Sequence, residues 1–384
     1  MGSIMSQYCA ALSLHPNSFE AASECVGELL EQLDGVQPDL LVVFASPHHR
    51  VAFAEVASGL KKLLNADTVV GSTAVAIAGG ATEIEDGPAL SVFAACWGGG
   101  RARAFSLDAF RTSEGLRIVG WPDDVPATGT LLLLTEPLSF PTDDFLAMCR
   151  ACRPELKLIG GSTSVAGPDY GSAMVLDDSL QSRGAVAVLL DESVQVQTVV
   201  AQGCRPIGQP LVITRSNRNV ITELAGQPPL ERLRQILGAL DDTDQEILRR
   251  GIQVGLVVNE HQLNFGRGDF LIRSLLGSDD PNGSITISES VQPGQTIQFH
   301  LRDGVAATED LEALLRGSAA SGVLLFTCNG RGTHLFGVPS HDSGLIQGRI
   351  GPVPLAGMFC SGEVGMISGK TFLHGHTASV ALFQ

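Results

Sequence analysis

The stretch LLFTCNGRGTHLFG, Leu324 to Gly337, places a thiol, an amide, a guanidinium and an imidazole close together as Cys328, Asn329, Arg331 and His334. Three chemistries suit that set. A cysteine beside an imidazole can become a thiolate nucleophile. A neutral imidazole can ligate a metal or haem iron. A guanidinium can fork onto the carboxylate of a small ligand. The spacing permits a Cys328–His334 contact without requiring one. Cys328 can equally close a buried strand, with Arg331 paired to a carboxylate such as Glu363 or Asp303.

Further groups of the same kind follow and precede this stretch. His374-Gly375-His376 on a strand would turn both rings to one face, because side chains alternate with period two. Glu363 and Thr377 lie close by in sequence. That pattern lacks the spacing of a paired ligand framework, and no metal is expected. Ser46 and His48 follow the strand LLVVFA; of the neighbours His48 and His49, at most one can enter a pocket from extended chain. Gly71-Ser72-Thr73 and Gly161-Ser162-Thr163 offer hydroxyls and N–H donors to a carboxylate or amide, or they satisfy their own strand ends. No G-x-S-x-G elbow, phosphate loop, H-E-x-x-H or dinucleotide fingerprint is present.

The elements that position these residues repeat. LLVVFASPHH (Leu40 to His49) and TLLLLTEPLS (Thr130 to Ser139) are apolar strands ending in a polar residue and proline. Each leads to a helical pattern, VAFAEVASGLKKLL or DDFLAMCRACRPEL, then to a second strand closing on Gly-Ser-Thr, and then to a further strand. A looser third copy runs from GVLLFTC through VPLAGMFCSGEVG to HGHTASVALF. Parallel pairs joined by crossover helices, with closely spaced later strands, predict mixed sheets. Ligands in such folds commonly bind beyond strand ends, where every polar group named above falls.

Between the second and third copies the pattern changes. PLVITR, VITELAGQ, DFLIRSLLG, GSITISES and GQTIQFHLRDG are strand candidates, PPLERLRQILGAL and ATEDLEALLRG are helices, and DDTDQE is a solvated loop or helix start. A boundary near residue 200 divides the chain into domains 1–200 and 201–384. The fold expected is α/β (α+β), two domains of mixed β-sheets flanked by helices and built from repeated strand–helix–strand modules.

Composition narrows the function. The 384 residues suit two domains, and 44% apolar against 17% charged residues allows most of the chain to be buried. A net charge of −16 argues against a nucleic-acid partner, which needs clustered Lys and Arg. The eight cysteines form no paired zinc framework; Cys149 and Cys152 read C-x-x-C, but within a helix, where packing thiols are expected. No apolar run is long enough to span a membrane and no signal peptide is seen, so a cytoplasmic protein without membrane contact is expected. Gly2 and Ser6 fit a myristoylation pattern too short to be informative.

With these residues in hand, the chain resembles the FIST-domain proteins and carries both the N-terminal and the C-terminal FIST regions. The resemblance rests on PDLLVVFASPHH, VVGSTAVAIAG, EIEDGPALSVFAA and IGGSTS in the first region. In the second it rests on PIGQPLVITRSNRNVITELAGQPPLERL, GDFLIRSLLG, LLFTCNGRGTHLFG, VPLAGMFCSGEVG and FLHGHTASVALF. It implies an intracellular sensory module that holds a small ligand, such as an amino acid, without catalysis and without a cofactor. Some members of the family sense nitric oxide through haem, which would make His334 or His374 an iron ligand here. Others act as adaptors, which would make the chain an interaction scaffold. The family motif carries over to Cys328, Gly330, Arg331, Gly332, Gly362, Glu363, His374 and Thr377. Members commonly carry appended output domains, for which this chain has no room, so a signal would pass to a separate signalling protein. Arg331 and Glu363 have the charges to hold the two ends of a zwitterion, with Ser72, Thr73, Ser162 and Thr163 as neutral donors.

Overall fold

The computed structural model describes residues 6–99, 101–113, 115–165, 171–249, 251–262, 264–279 and 281–384; Gly2 lies outside them. The first module runs β1 (Gln7–Ser13), α1 (Ser18–Leu33), β2 (Leu40–Ala45), α2 (Phe53–Leu63), β3 (Thr68–Thr73), β4 (Ile77–Gly79), β5 (Thr82–Ile84) and β6 (Leu90–Cys96). The second runs β7 (Ala102–Thr112), β8 (Gly115–Val119), β9 (Thr130–Thr135), α3 (Thr142–Cys152), β10 (Lys157–Ser162), β11 (Met174–Leu176), β12 (Ser179–Gln181) and β13 (Ala185–Leu190).

The third module opens with β14 (Val196–Gln202) and is then interrupted by β15 (Cys204–Asn217), β16 (Val220–Leu224), α4 (Pro229–Leu237), α5 (Asp242–Leu248), β17 (Ile252–Val257), β18 (Phe270–Asp279), β19 (Ser284–Ile287) and β20 (Thr296–Arg302). It resumes with α6 (Gly304–Leu315), β21 (Gly322–Cys328), α7 (Thr333–Phe336), α8 (His341–Ile350), β22 (Leu355–Cys360), β23 (Gly362–Ile367), β24 (Lys370–His374) and β25 (Thr377–Phe383).

Each module builds the same nucleus. β2 and β3, β9 and β10, and β21 and β22 pair in parallel. The closing strand β6, β13 or β25 returns antiparallel along the first member, and β1, β7 or β14 flanks it. The loose third copy is thus a full one. The hairpins do not stay at home. β4–β5 joins β22, β11–β12 joins β3, and β23–β24 joins β10, so each module lends its hairpin to another module's sheet.

Burial explains why these segments are strands. β2, β9 and β21 are buried at every position, as strands covered on both faces must be. One alternation, Val42 and Phe44, Leu132 and Leu134, Leu324 and Phe326, points into a core shared by the three sheets. The other packs beneath helices: Leu41 and Val43 under Phe53, Leu60 and Leu29, and Leu131 and Leu133 under Phe145 and Leu146. Each such side chain contributes about 1.5–3 kcal/mol when fully buried. Asn17 caps α1 by accepting from the N–H groups of Phe19 and Glu20 at 2.9 and 3.2 Å.

The chain divides into two compact units. One comprises Met1–Val200, Glu312–Leu373 and Thr377–Gln384; the other comprises Ala201–Leu311 and His374–His376. The second is built on a closed barrel in the order β15-β16-β19-β18-β17-β20, with Ile213, Val254, Ile285 and Phe299 in its core. Residues beyond Glu312 rejoin the first unit because β22 and β23 pair with strands of the first and second modules. The acidic run at Asp241 opens α5, with Asp241 Oδ1 accepting from Asp244 N–H at 2.8 Å.

Candidate functional site

β21 ends at Cys328 directly beside Cys360, the last residue of its parallel neighbour β22. There the chain turns sharply. Asn329 N–H donates to the Cys360 carbonyl at 2.8 Å, Arg331 N–H to the Cys328 carbonyl at 2.8 Å, and Gly330 N–H to Cys328 Sγ at 3.4 Å. Gly332 takes φ +70°, and a Cβ there would stand 2.7 Å from the Glu85 carboxyl, so only glycine fits. Glu85 Oε1 accepts from Thr333 N–H at 2.8 Å and Thr333 Oγ1 at 2.6 Å, fastening the turn to the lent hairpin of the first module.

The turn folds Arg331 inward, to 1% exposure. Its Nε and Nη2 donate to Asp342 Oδ2 and Oδ1 at 2.7 and 2.8 Å, a two-pronged pair that leaves Nη1 with no hydrogen-bond partner among the described residues. Asp342 also accepts from Thr327 Oγ1 at 2.7 Å and lies 3.1 Å from His341 Nδ1. Phe336 sits 5.1 Å from the guanidinium and stacks on His341 at 3.4 Å. Burial opposes ionisation of Asp342, but the charge and hydrogen bonds of Arg331 outweigh it and hold the carboxyl below the usual carboxylate range. Glu83, on β5, accepts from Ser343 N–H at 2.7 Å; burial and the charge of Asp342 push its carboxyl up to about 7.

Glu363 enters from β23, opposite Gly161 on β10, and is fully buried. Its Oε2 accepts from Thr377 N–H at 3.2 Å and Thr377 Oγ1 at 2.8 Å, while Oε1 has no hydrogen-bond partner among the described residues. Burial pushes this carboxyl up to about 8, against the lowering effects of Thr377 and the charge of Arg331. Arg331 in turn feels the charges of Cys328 and Glu363. The result is a buried fixed cation and a buried carboxyl within electrostatic reach of each other, each with one atom uncommitted. Such a pair can grip a small molecule that offers both an acceptor and a donor.

Other residues expected at the site are placed differently. Asn329 and His334 are exposed whereas Cys328 is buried, so the Cys–His reading of the loop finds no support. His48 is exposed; its neighbour His49 is the buried one, with Nδ1 3.0 Å from Ser18 Oγ. Ser46 Oγ takes the N–H of Ala89 at 2.9 Å and lies 3.3 Å from His48 Nδ1.

The four hydroxyls are all taken up by hydrogen bonds at strand ends. Thr73 Oγ1 donates to the Ala173 carbonyl at 3.2 Å and accepts from its N–H at 3.0 Å. Ser162 Oγ meets Thr135 Oγ1 at 2.8 Å, Thr163 Oγ1 donates to Ser172 Oγ at 2.8 Å, and Ser72 Oγ donates to the Thr73 carbonyl at 3.1 Å. His374 and His376 group with the barrel unit, whereas Arg331, Cys328, Glu363 and Thr377 belong to the first.

Asp303, the alternative partner for Arg331, is instead bound by Arg205 Nε at 2.9 Å. Cys149 of the C-x-x-C is buried, its thiol pushed up to about 12 by burial, which suits a packing thiol. Glu83, Glu85 and Asp342 were not anticipated. Asp342 carried a faint signal as an acid in the first turn of a helix.

The fold and this site describe a protein of three interlocked modules with a buried arginine and a buried carboxyl near one strand end. Residues 39–227 match the FIST N domain and residues 229–366 the FIST C domain, and the chain belongs to the FIST family. It is 40% identical over 374 residues to the uncharacterized protein Mb0898c of Mycobacterium bovis, covering 96% of each chain. To the uncharacterized protein Rv0628c of Mycobacterium tuberculosis it is 39% identical over 378 residues, covering 97% of this chain and 98% of the other. FIST domains are regarded as sensory and signal-transduction domains. Among the described residues no helix is long and apolar enough to cross a membrane.

Proposed function

We propose that the protein is a sensory module that binds a small zwitterion, an amino acid or a close analogue, between Arg331 and Glu363 and does so without catalysis. The observation that carries this reading is the pair of uncommitted buried atoms, Arg331 Nη1 and Glu363 Oε1. A buried polar atom left without a partner costs about 1–3 kcal/mol, which a ligand able to satisfy both would recover. Asp342 holds the guanidinium in place, so Nη1 is offered at a fixed position, and Thr377 does the same for Glu363.

Both side chains are buried, so a ligand reaches them only when the surrounding packing opens. Occupancy then shifts the balance between two conformations, which is what a sensor must convert into a signal for a separate protein. Glu363 is protonated near neutral pH, so an incoming ammonium group displaces that proton.

Isothermal titration of the purified protein against a panel of amino acids tests the reading. We expect one class of amino acid to bind, binding heats that vary with the ionisation enthalpy of the buffer because a proton is released, and loss of binding in Arg331→Lys and Glu363→Gln. Absence of binding across the panel, or unchanged affinity in both folded variants, sinks the proposal.

A further inference from the structure

A concave feature that does not include Arg331 lies where the C-terminal part of α3 meets the turn between β23 and β24. It is a cavity of about 510 Å³, within the size range of small-molecule sites. Its wall includes Leu156 and Leu158, both buried members of the core beneath α3. Its charged lining consists of Arg150, Arg153 and Lys370 against the single acid Glu155. That balance is unusual here, because the chain has 25 Lys and Arg against 41 Asp and Glu. A local excess of cations in an acidic protein concentrates anions where the rest of the surface repels them.

The cations are also held. Arg150 Nη1 donates to the Thr371 carbonyl at 2.6 Å, and its guanidinium lies 4.7 Å from the centre of the Phe372 ring. Arg153 donates through Nε to the Val125 carbonyl at 3.3 Å and through Nη1 to the Cys152 carbonyl at 2.9 Å. Guanidinium groups fixed in this way lose little further freedom on binding. Lys370 is exposed at the hairpin turn and supplies a third charge.

We propose that this cavity binds a small amphipathic anion, an apolar ring or chain bearing a carboxylate, sulfonate or phosphate. The apolar body lies against Leu156 and Leu158, and the anionic head meets Arg150, Arg153 and Lys370. The site is independent of Arg331 and Glu363.

The test uses two dyes that differ by one sulfonate, 1-anilinonaphthalene-8-sulfonate and its neutral parent N-phenyl-1-naphthylamine, titrated by fluorescence into the full chain. Saturable sulfonate binding is expected, weakened about tenfold or more in the Arg153→Gln, Lys370→Glu double variant, with the neutral dye unaffected. A control pair outside the cavity, Lys62→Glu with Arg316→Glu, changes the net charge at least as much and is expected to leave both dyes unchanged. Circular dichroism melts confirm that each variant is folded. The proposal is overturned if the sulfonate dye shows no saturable binding, if the double variant binds it as well as the parent does, or if the control pair weakens it equally.

Discussion

At Glu363 a carboxyl is surrounded by protein on every side and, among the described residues, takes its hydrogen bonds from Thr377. Its ionisation in the folded state is pushed up to about 8, against 4.5 for the unperturbed group. The folded state therefore binds this proton more tightly than the unfolded chain does. The stability that follows is fully present below about 4.5 and is lost as pH rises through about 8, at up to about 1.4 kcal/mol per pH unit.

Thermal denaturation of the wild type should show a midpoint that falls between pH 5 and pH 9. Glu363→Gln, which mimics the neutral acid, should flatten part of that fall, with Glu83 supplying the remainder. Identical slopes in the two proteins would remove Glu363 from this account. Asp342 acts in the opposite direction: its depressed carboxyl stabilises the fold above the ordinary carboxylate range, and that contribution is lost in acid. Arg331 was readable as a key residue from the GRG turn. Its partner Asp342 lies only eleven positions on, but the Glu83 carboxylate accepts from Ser343 N–H across 260 positions, a separation that no local pattern can span.

At the level of elements, the seams between sheets are where side chains have least room. A Cβ at Gly161 would stand 2.3 Å from Cys360 Sγ, and Cys360 is itself fully buried. Gly161→Ala should therefore cost about 1–3 kcal/mol by overpacking the seam, read as a lower urea midpoint with an unchanged slope. An unchanged midpoint would mean that β10 and β22 can part freely.

The strands themselves were legible, because LLVVFA, TLLLLT and GVLLFTC are apolar at nearly every position and end alike. The recurrence of the module was legible for the same reason. The exchange of hairpins was not, since β4 and β11 are only three residues long and the pattern of β23 names no partner. Nor could alternation say that His49 rather than His48 turns inward, because the chain there coils into a helical turn instead of staying extended.

At the level of the whole molecule, the barrel is an interruption of the third module. Asp303 N–H donates to the Gly203 carbonyl at 3.2 Å, so the segment between them leaves and returns at neighbouring points. Replacing residues 204–303 with a short Gly-Ser linker should leave the three-module unit folded, with one cooperative melt and the circular dichroism of a mixed α/β protein. Calorimetry of the full chain should resolve a separate transition for the barrel. A truncated chain that fails to fold would show that the two units depend on each other.

The lent hairpins also bear on how the protein is made. β4–β5 completes its pairing only with β22, whose residues are synthesised near the end of the chain. Until then the first module holds an unpaired hairpin and β3 has an open edge awaiting β11. Chains with such distant pairings fold slowly and expose strand edges while they wait. A nascent chain stalled before residue 355 should accordingly be sensitive to protease within its first hundred residues, even though those residues contain a complete copy of the repeated module.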